Sequence, residues 1–171
     1  NPRTSIADFL NGSKVTESNL VTASERFDFI PADSRLVTNF SADALTKVIS
    51  ELPKSYDVVI LDLPGSLSQP LSMALSVAQL VVVPVRNNLH SLRGYLQIKS
   101  VSTGVEVKAL AIGDNSLIAA AELIDEPLLE SNELEAAAAT KISILTHDKA
   151  SESAESFRNV GYSILEKLGL E

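Results

Sequence analysis

Short runs of β-branched residues alternate with amphipathic segments along the chain, and this alternation restricts the folds that it can adopt. Residues 57–62 and 80–85 are nearly continuous apolar runs rich in valine and isoleucine. Such runs are typical of strands that are buried on both faces of a parallel sheet. Residues 41–52 begin with a serine, carry apolar side chains at helical spacing and are followed by a proline. The pattern predicts an α/β protein with a mostly parallel sheet flanked by helices.

Further segments extend the same pattern. A third strand is predicted over residues 105–112, closed by a Gly-Asp-Asn sequence that suits a turn. Short strands are expected at residues 27–30 and 128–129, a loop and helix at 65–77, and helices at 91–101, 117–124, 133–139 and 150–168. Because no repeat, linker or low-complexity tract interrupts the pattern, residues 1–171 are predicted to form a single domain.

Composition excludes several classes of function. The chain has no cysteine, which removes disulfides, thiolate metal sites and iron–sulfur ligation. Its two histidines, His90 and His147, lack the spacing of zinc ligands. A formal net charge of −8 argues against constitutive nucleic-acid binding, although it allows a small basic patch. No apolar run is long enough to cross a bilayer and no signal peptide is visible, so we expect a cytoplasmic protein.

The strongest candidate for chemistry is Asp62, which ends the run at residues 57–62 and is followed by Pro64 and Gly65. Open α/β sheets bind ligands beyond the carboxyl ends of their strands. In nucleotide hydrolases a carboxylate at this position, the Walker B acid, orients Mg²⁺ or its waters. The residues favour this interpretation over the alternative, in which Asp62 caps the loop after a core strand.

The order of the segments resembles a known family. The sequence Tyr-Asp-Val-Val-Ile-Leu-Asp-Leu-Pro-Gly-Ser-Leu at residues 56–67 resembles the YDxxxxDxPxxL segment of the ParA/MinD family of deviant P-loop ATPases. Residues 78–85 and 90–94 are similar to the family's next strand and to the helix start after it. Other segments that follow the family in order are residues 5–10, 27–32, 132–137 and 154–158.

This resemblance implies a P-loop nucleotide-hydrolase fold with ATP and Mg²⁺ as cofactors. Asp62 would be the catalytic acid and would hold Mg²⁺ through water, with Pro64 and Gly65 beside the nucleotide. Residues 1–3 would overlie the segment after the family's second strand, with Asn1 where relatives have an acid. The first strand and the phosphate-binding loop would then lie outside the sequence. Without that loop, the chain alone is expected not to hydrolyse ATP.

Asp114 and Asn115 follow the predicted third strand, at the place where the family reads the nucleotide base. The amide of Asn115 suits this role because it offers both a donor and an acceptor to adenine. The same residues suit a plain turn, and turn chemistry favours that simpler interpretation.

The resemblance also implies partners: a homodimer closed by ATP, nonspecific DNA and a centromere-binding ParB-like protein, with no membrane contact. Relatives hold DNA with surface bases in the C-terminal half, where this chain has Lys141, Lys149, Arg158 and Lys167. Acids interleave with these bases, which favours an ordinary solvated face. The sequence therefore favours a DNA-partition ATPase. A MinD-like positioning ATPase is disfavoured by the short acidic stretch at residues 164–171, and a non-hydrolysing scaffold relative remains a further alternative.

Overall fold

The computed structural model describes residues 4–23, 27–37 and 39–170. The chain divides into two compact units, Asn1–Val77 and Ala78–Glu171. Each unit has its own buried apolar clusters. The single domain expected from the sequence stays a prediction.

In the part that the structure describes, the first unit contains three short helices and a two-stranded ribbon. The helices are α1 (Ile6–Leu10), α2 (Ala44–Glu51) and α3 (Gln69–Leu75), and 3₁₀ turns occupy Glu17–Asn19 and Ser34–Val37. In the ribbon, β1 (Val21–Thr22) pairs in antiparallel orientation with β2 (Asp28–Phe29). The strand predicted at residues 27–30 is therefore confirmed, although it belongs to an antiparallel pair.

Two of the three helices supply most of the core of the first unit. Ala44 and Leu45 of α2 pack in one cluster with Met73 and Ala74 of α3 and with Phe40, which precedes α2. Helix α2 begins later than predicted, with Asp43 rather than Ser41 at its N-cap. The Ser41 carbonyl instead accepts a 3.1 Å hydrogen bond from the Ala44 N–H, in the turn that leads into the helix.

The strand predicted over residues 57–62 is wrong for this structure. These residues are not part of a strand, and Ile60 in their middle is 86 % exposed. Residues 57–66 make no main-chain hydrogen bond to any other part of the chain that the structure describes. A strand exists only where a neighbouring backbone completes its ladder. The β-branched pattern reports a preference for extended backbone and does not supply that neighbour.

The second unit is built around a strand–helix–strand arrangement. β3 (Leu80–Arg86) and β4 (Glu106–Ile112) pair in parallel, in a register that places Leu80 opposite Glu106. Helix α4 (Leu89–Val101) connects them. Both strands and this helix were predicted within two residues at each boundary. Since parallel neighbours require such a crossover, the small parallel sheet fits the α/β class.

Helices cover both faces of this sheet. On one face, Val85 and Ala109 pack with Tyr95 of α4. On the other, Leu110 packs with Val160, which lies on the last helix, α7 (Glu152–Lys167). Beyond β4, single bridges join Leu123 and Leu128 to the sheet. Among the described residues no strand pairs with the opposite edge of β3, so β3 is covered on its faces and open along one edge.

Three further helices complete the second unit: α5 (Asn132–Thr140), α6 (Ile144–His147) and α7 (Glu152–Lys167). Helices α5 and α7 confirm the predictions for residues 133–139 and 150–168. The helix predicted at residues 117–124 is wrong, because only a 3₁₀ turn forms at Ala120–Glu122. There Leu123 bridges to Ala109 and the Ile124 N–H donates to the Ala109 carbonyl, so the sheet draws this end of the segment into extended backbone. Within the described part of the chain, no helix has the length and apolar character needed to span a membrane.

Candidate functional site

Asp62 is displayed on the surface of the first unit by an alternation of side chains. Leu61 and Leu63 are half-buried against the core cluster that contains Met73, whereas Asp62 between them is exposed. In extended backbone, successive side chains point to opposite sides, so two leucines held in the core direct the carboxylate between them to solvent. The geometry therefore offers an accessible acid on a well-anchored piece of backbone.

The residues after Asp62 form an exposed loop that leads into α3. Pro64, Gly65 and Ser66 are all exposed. Ser68 is the N-cap residue of α3 and Pro70 lies in its first turn. The Ser68 hydroxyl makes no capping hydrogen bond, and among the described residues its oxygen is buried without a partner.

The other candidate residues lie in the second unit, where β4 ends. Gly113 has a φ of 69°, a left-handed conformation that favours glycine, and its N–H donates to the Leu128 carbonyl over 2.8 Å. Asp114 is exposed and Asn115 is half-buried. The Asn115 Oδ1 accepts the Leu117 N–H at 3.0 Å, which confirms the predicted turn. Its Nδ2 is buried and has no hydrogen-bond partner among the described residues.

Polar side chains after β3 meet this turn, because the carboxyl ends of parallel neighbours lie at the same edge of a sheet. The Asn87 amide donates to the Ser116 hydroxyl at 3.5 Å. Asn88 caps α4 by accepting the Ser91 N–H at 2.9 Å, which leaves His90 exposed in the first turn. Sequence reasoning missed Asn87 and Ser116. The signal available in the sequence was that Asn87 and Ser116 follow two strands that were predicted to be parallel.

A contact in the first unit was also missed. The Tyr56 hydroxyl donates to a carboxylate oxygen of Asp28 on β2, and the Thr22 hydroxyl donates to the other oxygen at 2.6 Å. These two hydrogen bonds, with that from Thr22 the stronger influence, hold the pKa of the Asp28 carboxyl below its usual range. The hydrogen bond to Asp28 is the main influence that raises the Tyr56 pKa. Burial and the nearby Glu17 carboxylate raise this pKa further. No local pattern could reveal the pair, because its members are 28 residues apart.

The predicted basic residues of the C-terminal half are not equivalent. Lys167 donates to Asp125 on the same unit at 3.1 Å. Arg158 instead donates to the main-chain carbonyl of Lys149, which keeps both positive charges and brings the two residues together. Lys141 ends α5 in a left-handed conformation and is exposed. Lys167 is therefore paired with an acid, whereas the contact between Arg158 and Lys149 neutralises neither of those two bases.

Metal binding can be judged from the donor set. No group of three or more His, Asp or Glu side chains able to hold a metal occurs among the described residues. Mg²⁺ retains several waters and is commonly bound by one or two carboxylates together with substrate phosphates. An exposed single carboxylate such as Asp62 fits that mode, and a closed protein cage is not required.

An open groove of about 490 Å³ lies elsewhere in the first unit, between the end of α1 and one side of α2. Phe9, Phe40 and Val48 form its apolar floor, and Lys47 and Glu51 stand at its rim. None of the candidate residues contributes to this groove. The candidate functional groups lie outside this groove, at Asp62 and at the end of β4.

Comparison with known proteins identifies the family. A family model described as an AAA domain matches residues 2–112, well over half of the chain. The chain belongs to the ParA/MinD-type family. The match includes the Asp62 segment and both strands of the parallel sheet, and it ends at Ile112, just before Asn115.

A curated relative agrees with this assignment. A ParA family protein of Mycoplasma pneumoniae is 24% identical over 96 residues, which make up 52% of this chain. The match covers only 36% of the relative, so the aligned part represents about a third of that protein. Membership of the ParA/MinD-type family supports an ATPase-like P-loop domain, as the resemblance of residues 56–67 implied. Residues 1–3, where Asn1 was expected to replace a family acid, lie outside the described residues.

Proposed function

We propose that this protein is a ParA-type ATPase in which Asp62 orients Mg²⁺ on bound ATP. The observation that carries the proposal is the display of Asp62 between two core-packed leucines, in a segment that the family match includes. When bound, Mg²⁺ neutralises phosphate charge and so favours phosphoryl transfer to water. Asp62 would hold the ion through a water molecule, with Pro64 and Gly65 lining the approach.

In this proposal Asn115 contacts the nucleotide base and Asp114 lies beside it. The support is the buried Asn115 Nδ2, which lacks a partner among the described residues although its Oδ1 is occupied. A buried donor without a partner costs free energy, and an acceptor on a bound ligand would remove that cost after a small rotation of the side chain.

The proposal also requires a glycine-rich loop with a lysine, and the strand that leads into it. Residues 1–171 contain no such loop. We place that strand along the free edge of β3, because Val81, Val82 and Val83 carry no charge that would protect an exposed edge. The loop would supply the backbone N–H groups that cradle the phosphates.

The test measures binding and turnover of ATP in the full protein that contains residues 1–171. Asp62→Asn should reduce Mg²⁺-dependent turnover by roughly 100-fold or more, since a metal ion supplies several kcal/mol of charge stabilisation. Asp57→Asn is the matched control, because Asp57 is exposed, begins the same segment and should have little effect. If the wild-type protein does not bind ATP, a non-hydrolysing scaffold replaces the proposal. Equal losses in both variants would remove Asp62 from its role.

For the partners, we propose that ATP closes a homodimer that holds nonspecific DNA, and that a centromere-binding ParB-like protein stimulates its release. Such a protein would act in the cytoplasm, on the nucleoid. We assign DNA contact to the surface around Lys149 and Arg158, because these two bases adjoin and neither forms an ion pair among those the structure describes.

DNA affinity tests this surface. Lys149→Ala and Arg158→Ala should each weaken DNA binding and lower the slope of log affinity against log salt by about 1. Lys167→Ala serves as the control, since Asp125 already neutralises that base. Binding that requires anionic lipid vesicles rather than DNA would favour the MinD-like alternative.

A further inference from the structure

The β1–β2 ribbon is tied to the backbone that carries Asp62. Asp28 on β2 lies directly opposite Thr22 on β1, and its carboxylate accepts a hydrogen bond from each of Thr22 and Tyr56. Charge-assisted hydrogen bonds of this kind are stronger than neutral ones. Tyr56 is half-buried and immediately precedes the segment at residues 57–62. We call this three-residue set, Thr22, Asp28 and Tyr56, the tyrosine clamp.

The segment at residues 57–62 depends on its ends for its position. It has no main-chain hydrogen bond to the rest of the described chain, and Val58, Val59 and Ile60 are exposed. At its far end, Leu61 packs into the core of the first unit. At its near end, the side-chain contact that the structure describes is the tyrosine clamp, which joins Tyr56 to Asp28. Freeing the near end would therefore leave Leu61 and Leu63 as the core contacts of this backbone and allow it to twist about them.

We propose that Tyr56 is a positioning residue for Asp62, acting through the tyrosine clamp to fix the backbone that presents the carboxylate to Mg²⁺. The inference rests on the proposed function, which supplies the metal. Six extended residues span about 20 Å, so Tyr56 acts through the backbone and does not touch the ion. The structural element is the clamp, and its functional consequence is the orientation of Asp62.

The first measurement is independent of nucleotide. Because the chain has no cysteine, a spin label can be attached selectively at Ile60→Cys, an exposed position in the middle of the segment. Tyr56→Phe removes the hydroxyl and retains the ring, so it should increase the mobility of that label without unfolding the protein. Tyr162→Phe, at an exposed position on α7, is the control and should leave the label unchanged.

The second measurement is the Mg²⁺ concentration that gives half-maximal ATP binding in the full protein. Tyr56→Phe should raise it about fivefold to tenfold, because only part of the free energy of the lost hydrogen bond is expressed in the position of Asp62. Asp28→Asn should act in the same direction. The double variant should lose little more than either single one, since both remove the same contact.

The outcomes separate the two proposals. Unchanged label mobility in Tyr56→Phe would overturn the clamp whatever the nucleotide does. Increased mobility with an unchanged Mg²⁺ requirement would also overturn the positioning role, since a purely structural contact would behave in this way. If label mobility rises but the wild-type protein binds no ATP, the proposed function fails, and with it the positioning role, while the attachment of the segment stands.

Discussion

The hydroxyl of Tyr95 donates a 2.9 Å hydrogen bond to the Glu122 carboxylate, joining α4 to the 3₁₀ turn beyond β4. Tyr95 is only 1 % exposed, and Lys99 on the same helix forms an ion pair with the other oxygen of Glu122 at 2.7 Å. Burial, aided by Glu122, raises the pKa of Tyr95 to about 12. Lys99 and then Tyr95 hold the pKa of Glu122 below its usual range. The contact therefore joins a neutral phenol to an ionised acid at neutral pH.

We predict that Tyr95→Phe destabilises the protein by about 1 kcal/mol. A hydrogen bond to a charged group contributes about 1.5–3 kcal/mol, but Glu122 is partly exposed and keeps Lys99, which lowers the effect. The measurement is the free energy of unfolding in urea. Tyr162→Phe, where the tyrosine is 70 % exposed, should change it by less than about 0.5 kcal/mol. Equal effects would contradict the structural role of the Glu122 contact.

Ser156→Ala should destabilise the protein more than the loss of one small hydroxyl group suggests. The Ser156 hydroxyl accepts the Leu129 N–H at 3.0 Å and donates to the Pro127 carbonyl at 3.1 Å. Alanine would leave two main-chain groups unpaired beside α7, at a cost of about 1–3 kcal/mol. Urea unfolding should show this loss, whereas Ser100→Ala on an exposed turn of α4 should be nearly neutral. A neutral Ser156→Ala would indicate that water replaces the hydroxyl.

Elements that are determined locally were predicted from the sequence. Helix α4 connects two β-branched runs, and the alternation alone indicated that β3 and β4 are parallel. The role of Asp62, assigned from its position at the end of such a run, stays a prediction. In contrast, the strand at residues 57–62 and the helix at residues 117–124 depend on which backbone lies alongside them. That information resides in distant residues, as in the bridge between Ala109 and Leu123.

The tyrosine clamp shows the same limit at the candidate site. Asp28 and Tyr56 are ordinary residues in their local sequences, and only folding brings them together. A Gly-Asp-Asn sequence predicts the turn, but it does not show that the buried Nδ2 of Asn115 has no partner among the described residues. Sequence patterns thus predicted the acid Asp62 and the amide Asn115 as candidates, while the contacts around them required the structure.

The alternation around Asp62 can be tested with two neighbouring residues. Leu61→Ala should destabilise the chain by about 2 kcal/mol, the lower end for a core leucine, because Leu61 is half-buried. Ile60→Ala, at a position that is 86 % exposed, should change stability by less than about 0.5 kcal/mol. Urea unfolding of residues 1–171 measures both. The reverse order would mean that the segment presents its other face to the core, and Asp62 would then point inward.

Lowering the pH should reduce the stability of the first unit, because it removes the ion pairs of Arg35. Its guanidinium bonds Asp8 at 2.6 Å and Asp33 at 2.6 Å, and it holds the pKa of each carboxyl below the usual range. A lowered folded-state pKa stabilises the fold above the unfolded pKa, about 3.9 for aspartate. This stabilisation is complete at neutral pH and is lost as the pH falls through the folded-state values.

Arg35→Met should therefore lower the urea midpoint of the first unit most at pH 7, and the difference from wild type should shrink steadily below about pH 4. Protonated carboxyls no longer gain from the guanidinium, so removing it matters less in acid. Lys54→Met, which removes one exposed positive charge after α2, is the charge-matched control and should show a small, nearly pH-independent effect. A difference for Arg35→Met that is equally large at pH 7 and pH 2.5 would show that packing of the arginine stem, rather than its ion pairs, joins α1 to the 3₁₀ turn at Ser34–Val37.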